Sequence, residues 1–245
     1  MAKNIQKALD VELIYGTHPV FEVLQQKRRK VFELFVLESD HATLKKIQGL
    51  LPKHPVTIHK MKRETLTQKL GTADHQGVGA LVQPFAFRKK FFDPKASPFL
   101  VLLDGVQDVR NLGAIIRSAY CTGVDGVIIC KKKSAHITST ALKASAGLAE
   151  RMEIYQAPSI ESALIELKNA NYTLYVAALS KEANAFTMDY KQPLCLVIGS
   201  EGTGVSNSTL RAGTIITLPQ KSAEVSYNAS VAAGILMSLI AFGKR

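Results

Sequence analysis

The runs FLVLL at 99–103 and LCLVIG at 194–199 contain no charged or hydrogen-bonding side chain that would favour water. A strand sends successive side chains to opposite faces, so a run that is apolar at every position has two faces to bury. A sheet covered by helices on both sides satisfies two such strands, which points to a mostly parallel α/β architecture. The pattern along the chain agrees. Strands are expected near 99–103, 125–130, 152–156, 173–178, 194–199 and 214–218, with helical patterns between them. Open parallel sheets bind ligands beyond the carboxyl ends of their strands, so the loops after Leu103, Ile198 and Leu218 are the places to search.

Upstream lies a smaller α/β unit. Strand-like runs at 13–15, 32–37, 56–59 and 77–82 alternate with helical patterns near 19–27, 41–51 and 62–70. Pro19 suits the first turn of its helix, and Pro52 and Pro55 close the second helix before the next strand. The stretch PFAFRKKFFDPKASP at 84–98 mixes three prolines with basic and aromatic residues and has no period, which reads as a linker. The expected organisation is a domain at 1–84, a linker at 85–97 and a second domain at 98–245.

Charge narrows the partners. The 245 residues carry 31 Lys plus Arg against 20 Asp plus Glu, a formal charge of +11. Such a surplus favours a polyanion, because neutralising phosphates releases counterions. MAKNIQKALD offers no apolar core for a secretion signal, so a cytoplasmic protein is expected. The stretch 229–242 falls short of the roughly 20 apolar residues of a membrane span and reads as a buried helix. Cys121, Cys130 and Cys195 form no C-x-x-C, and the six histidines lack ligand spacing, so neither a disulfide framework nor a metal is expected.

Three sequences occupy the loops singled out above. The first, DGVQDVRNLGAIIRSA at 104–119, places Asn111, Gly113 and Arg117 in an N-x-G-x-x-x-R arrangement that fits neither G-x-G-x-x-G nor a phosphate loop. The second, IGSEGTGVS at 198–206, has three glycines that let backbone approach a ligand, with Glu201 in the turn. The third, LPQKSAEVSYNASVAAG at 218–234, gathers Ser226, Asn228 and Ser230 before a helix of small residues. Each has a plain structural reading beside the functional one. Asn111 and Gly113 make a turn and helix start, Arg117 a surface ion pair, Glu201 a solvated loop residue, and Ser226, Asn228 and Ser230 helix caps.

The trio NLGAIIR, IGSEGTGVS and SYNASVAAG, in this order, resembles the three motifs of the SpoU (TrmH-type) RNA ribose 2′-O-methyltransferases. IYGTHPVFEVL at 14–24 and DHQGVGALV at 74–82 resemble the same family's L30e-like RNA-binding domain. The resemblance implies a SPOUT α/β trefoil knot in the C-terminal domain, S-adenosylmethionine as methyl donor without a metal, and a homodimer. Among family members it points to those that methylate a guanosine ribose in the peptidyl-transferase region of 23S ribosomal RNA. A transfer-RNA methyltransferase, an antibiotic-resistance ribosomal methyltransferase and a non-catalytic RNA-binding assembly factor are the alternatives.

Carried over residue by residue, the resemblance makes Asn111, Arg117, Glu201, Ser226 and Asn228 the catalytic set. Gly199, Gly204, Leu218, Tyr227 and Asn228 would hold the cofactor. A guanidinium with a pKa above about 12 is a poor proton acceptor, so Arg117 is assigned to lowering the ribose hydroxyl's pKa and binding nearby phosphate, with Glu201 orienting it. Tyr227, Ala229 and Gln220 depart from the family's commoner Leu, Val and Met. KRRK at 27–30, HKMKR at 59–63 and KKK at 131–133 are solvated faces or RNA contacts. Phe91 and Phe92 either stack on bases or pack on a domain, and His75 is either a turn residue or an RNA contact.

Overall fold

The computed structural model describes residues 11–180, 183–222 and 225–243. In chain order the strands are β1 (Glu12–Tyr15), β2 (Val31–Leu37), β3 (Thr57–Met61), β4 (Val78–Val82), β5 (Phe99–Asp104), β6 (Gly126–Cys130), β7 (Ile154–Ala157), β8 (Thr173–Ala177), β9 (Leu194–Gly199) and β10 (Thr214–Ile216). The helices are α1 (Thr17–Gln26), α2 (His41–Gln48), α3 (Arg63–Leu70), α4 (Val109–Cys121), α5 (Ser139–Ala144), α6 (Ile160–Asn169), α7 (Asn207–Ala212) and α8 (Ala229–Phe242). They form two compact units, one of the described residues up to 86 together with 137–151, the other of 87–136 together with the residues from 152.

The first unit is built on a four-stranded sheet in the order β1-β4-β2-β3. β4 runs antiparallel to both neighbours, and β3 lies parallel to β2. Its core is made by Ile14, Val20, Leu34, Val36, Ile47 and Leu66, all fully buried. Residues 137–151 belong here because their side chains find partners here. Tyr15 and Thr140 share a hydrogen bond of 3.2 Å, and Lys143 pairs with Asp74. Arg151 pairs with Glu22 at 2.6 Å. Gly147, in the turn after α5, has φ +78°, and a Cβ there would stand 2.8 Å from the His18 carbonyl oxygen, so this turn approaches α1 closely only because the residue is glycine.

Arg29 is turned inward. Its guanidinium donates to Glu12 at 2.7 Å and to the Gln83 carbonyl at 3.0 Å, and it also pairs with the buried Glu150. His75 is buried too. Its Nδ1 accepts from the Gly77 amide at 2.9 Å, which leaves the proton on Nε2, facing the Thr67 hydroxyl at 3.1 Å. It is a turn residue, not a surface for RNA. Burial, then the charges of Arg63 and Lys143, hold its pKa below the ordinary histidine value.

The second unit carries a six-stranded sheet in the order β10-β8-β9-β5-β6-β7, parallel throughout. Leu100, Val101, Leu102, Leu194, Cys195, Leu196 and Val197 are fully buried, as strands apolar on both faces require. Burial pushes the Cys130 thiol up to about 12 and the Cys195 thiol upward as well. The stretch read as a linker is packed at its aromatic residues. Phe92 is buried, Phe91 meets Tyr155 edge-on at 5.3 Å between centroids, and the Arg88 amide donates to the Ile154 carbonyl at 2.8 Å. Gly126 makes room, since a Cβ there would lie 2.2 Å from the Phe92 ring.

The histidine has a measurable consequence. A folded-state pKa below the unfolded value means that the unfolded chain takes up the proton first. Stability is then complete above about pH 6.5, declines as the pH falls below it, and is lost once the pH passes through the lower folded-state value. The urea midpoint should fall between about pH 7 and about pH 5, and His75→Gln should remove part of that fall. An identical pH profile in the variant would show that His75 is not the group responsible.

Candidate functional site

The order of the six strands reverses around β5 and β9. Strands β6 and β7 lie to one side of this central pair, and β8 and β10 to the other. Such a switch point opens a crevice beyond the carboxyl ends. A cavity of about 410 Å³ lies there, bounded by Ala177 at the end of β8, Ile198 at the end of β9, Ile216 at the end of β10 and Leu236 on α8. Its walls are mostly apolar, which suits a ligand with an aromatic or otherwise apolar body.

The β9 loop forms one wall. Ser200 and Gly204 exchange two backbone hydrogen bonds of 3.0 Å, closing a tight turn with Gly204 at φ +65°. Gly199 lies against that turn, where a Cβ would stand 2.4 Å from the Gly204 carbonyl carbon and 2.5 Å from the Val205 nitrogen. Glu201 sits in the turn and accepts a short hydrogen bond from the Asn111 side-chain amide on the first turn of α4. The far end of the loop is held by Asp104, the last residue of β5. This buried carboxylate accepts from the Ser206 amide and from the Thr209 hydroxyl, both at 2.7 Å.

The residues singled out from sequence divide into three groups. Gly199, Gly204, Leu218 and Tyr227 line the cavity, and so do Glu201 and Ser226. Asn228 does not line it. Its Oδ1 accepts from the Ser230 amide at 2.9 Å and from the Ser230 hydroxyl at 2.7 Å, capping α8. Arg117 and Asn111 stand on α4 outside the cavity lining. Arg117 is exposed and makes no ion pair or hydrogen bond among the described residues. Glu201 therefore does not orient Arg117 here, because its carboxylate is engaged by Asn111. Tyr227 leans toward the preceding loop, its hydroxyl donating to the Pro219 carbonyl at 3.4 Å.

Two residues escaped the sequence reading as site members. Asp104 could have been found as a carboxylate ending a wholly apolar strand. Gln220 was noted only as a departure from a pattern, yet it lines the cavity, and its buried Nε2 has no hydrogen-bond partner among the described residues. An unpartnered buried amide is costly, so Gln220 is a donor awaiting an acceptor. α8 packs on α4, with Gly234 facing the Ser118 hydroxyl, so the helix behind the cavity and the helix carrying Arg117 are one assembly. No group of three or more metal-ligating side chains occurs among the described residues.

Comparisons with known proteins agree with this geometry. Residues 98–238 match the SpoU rRNA Methylase family, and residues 13–88 match the family described as RNA 2′-O ribose methyltransferase substrate binding. The chain is 33% identical over 235 residues to the 23S rRNA (guanosine-2′-O-)-methyltransferase RlmB of Haemophilus influenzae, covering 92% of this chain and 95% of that one. It is 32% identical over 243 residues to an uncharacterized tRNA/rRNA methyltransferase of Synechocystis, of which it spans 62%. Among solved structures, an RNA 2′-O ribose methyltransferase superposes with a TM-score of 0.81 at 20% identity, covering 96% of this chain and 90% of that one. An AdoMet-bound rRNA methyltransferase from Sinorhizobium meliloti gives 0.80 at 21% identity, covering 96% and 88%. At such identities these two likenesses speak for the fold.

The glycine turn can be tested directly. Gly199→Ala forces backbone apart and should cost about 1–3 kcal/mol, the range for overpacking a filled site. Gly202→Ala, where nothing lies within 4 Å of the added carbon, is the control. Urea unfolding that shows the two variants equally stable would refute the close approach.

Proposed function

The chain belongs to the SpoU rRNA methylase family, S-adenosylmethionine-dependent RNA 2′-O-methyltransferases, and on that premise we propose that it methylates the 2′-hydroxyl of a guanosine in the peptidyl-transferase region of 23S ribosomal RNA. The observation that carries this reading is the span of the likeness, which takes in both units and reaches relatives named for guanosine 2′-O-methylation of 23S rRNA. A transfer-RNA substrate is the second reading, favoured by the Synechocystis relative whose name includes both RNAs.

The cavity fits the methyl donor on two counts. Its mostly apolar walls suit an adenine ring, and Gln220 Nε2 offers a donor that has no partner among the described residues. In this reading the backbones of Gly199, Gly204, Leu218 and Tyr227 hold the cofactor beside the Glu201 turn. When bound, it supplies an activated methyl group for in-line attack by the ribose oxygen. The chain's own work is alignment and charge stabilisation.

Arg117 is suited to that work because its guanidinium is exposed and has no carboxylate beside it among the described residues. It stays charged, lowers the hydroxyl's pKa and neutralises a neighbouring phosphate. Asn111 and Glu201, hydrogen-bonded to each other, tie α4 to the cofactor wall and so hold Arg117's helix in register with it. Ser226 faces the cavity from the last loop, and Asn228, with Oδ1 committed to the α8 cap, keeps its amide hydrogens for the ribose.

The same reading threads the C-terminal segment as a trefoil knot, assigns RNA selection to residues 1–84 and the chemistry to 98–245, and makes the protein a cytoplasmic homodimer. Support for the dimer comes from apolar side chains left exposed on the two packed helices: Tyr120 on α4 at 39%, and Val231 and Phe242 on α8 at 49% and 70%. No helix among the described residues is long and apolar enough to cross a membrane.

Mapping 2′-O-methyl groups in ribosomal and transfer RNA from cells with and without the protein tests the substrate. Loss of a methyl from a transfer RNA alone would overturn the ribosomal assignment. Arg117→Ala should abolish methyl transfer while leaving S-adenosylmethionine affinity within about tenfold, because Arg117 acts on the ribose side. An equal loss of cofactor binding, read by calorimetry, would contradict that role. Light scattering at micromolar concentration should give twice the chain mass, and Val231→Glu should shift it toward the monomer.

A further inference from the structure

A second cavity, also about 410 Å³, lies in the first unit where α1 ends and β2 begins. Val23, Leu24 and Val31, all buried, and Pro52 form its apolar side. Its other side is the KRRK turn, residues 27–30, with His54 and Gln83. We propose that this cavity binds one unpaired nucleotide of the RNA substrate, base against the apolar side and phosphate on the KRRK turn. The proposal rests on the reading that the substrate is RNA and adds a place where the first unit holds it.

The turn is built. Lys27 leaves α1 in the left-handed conformation, φ 54°, and its amide donates to the Val23 carbonyl at 3.1 Å. The Lys30 amide donates to the Gln83 side chain at 3.0 Å, and the Gln83 amide donates back to the Lys30 carbonyl at 2.9 Å. Between them Arg29 is drawn inward by Glu12, Glu150 and the Gln83 carbonyl, leaving 1% of its side chain exposed. Burying the third residue of the turn in this way leaves Lys27 and Lys30 exposed at the mouth. Neither ammonium has a carboxylate partner among the described residues, although Lys30 lies 5.4 Å from the Phe32 ring centroid.

Two further observations point to a ligand. Arg29 lines the cavity, and its Nε is buried without a hydrogen-bond partner among the described residues, so one strong donor stands beside the space unsatisfied. His54 Nε2 lies 2.9 Å from the Val31 carbonyl and donates to it, so the ring is held in place on this side of the cavity. The Gln83 oxygen is engaged by Lys30, so its amide hydrogens remain as donors. An apolar side flanked by two donors, Arg29 Nε and the Gln83 amide, and by cations meets what a splayed-out nucleotide presents: a flat base, a polar edge and a phosphate. A protein partner would leave the two lysine charges at the mouth without counterparts unless it were acidic there.

Photocrosslinking and binding together test the site with the full chain. A 23S rRNA transcript substituted with 4-thiouridine should crosslink to peptides containing residues 23–31 or 52–54. The double variant Lys27→Asn/Lys30→Gln should bind that transcript about tenfold or more weakly, with the salt slope of binding reduced by about 0.7, the share of one single-strand phosphate. Lys45→Gln/Lys46→Gln on α2 removes the same charge elsewhere on the unit and should change affinity much less. Thermal melts and S-adenosylmethionine affinity should match wild type in both. Crosslinks confined to other peptides, or equal effects of the two double variants, would overturn the proposal, as would capture of an acidic protein in place of RNA. Wild-type protein that crosslinks through this cavity yet transfers no methyl group would leave the nucleotide site standing and overturn the proposed activity instead.

Discussion

The pairing of β5 with β9 is the constraint on which the rest depends. Six residues of each strand run side by side in parallel, and the register sets Asp104 opposite Gly199 at the carboxyl end. Both strands are buried on both faces, so a slip would cost every side chain its place. With that register the last residue of β5 reaches across to Ser206 and Thr209, and the last residue of β9 has no side chain to obstruct the turn that folds back on it. The cavity wall is thus made by one buried carboxylate and one glycine at matching heights.

From this wall the neighbouring loop and helices are held in turn. Glu201 is carried by the turn, Asn111 by α4, and their hydrogen bond joins the two elements at a point 90 residues apart in the chain. α4 in turn packs on α8, whose small residues permit close approach. The helix that bears Arg117 is thus held by the Glu201 turn through Asn111 and by α8 beside Ser118. The Arg117 guanidinium is exposed and has no carboxylate partner among the described residues.

The first unit uses the opposite device. There an arginine is buried and paired, and the consequence lies in its neighbours. Four consecutive cations would repel one another if all stood at the surface, and turning Arg29 into a nest of two carboxylates and a carbonyl relieves that repulsion while leaving Lys27 and Lys30 outside. The same arginine ties residues 137–151 to the unit through Glu150. A segment from the middle of the sequence thereby completes the core of the unit that begins the chain.

The sequence by itself determined the alternation of strands and helices, the parallel sheet of the second unit and the three loops at its carboxyl ends. These follow from local periodicity and from the need of all-apolar strands such as 99–103 and 194–199 to be covered twice. The wall residues Gly199, Gly204 and Leu218 were singled out too, because the motifs that contain them, IGSEGTGVS and LPQKSAEVSYNASVAAG, resemble those with which the family holds its cofactor. Only the tertiary structure decided that Glu201 engages Asn111 and not Arg117, that Asp104 is a clamp, that Phe92 and His75 are buried, and that 137–151 joins the first unit. Each of these depends on which strands become neighbours and in what register. A hydrogen bond between residues 90 or 102 positions apart leaves no trace in the spacing of either residue's own neighbourhood.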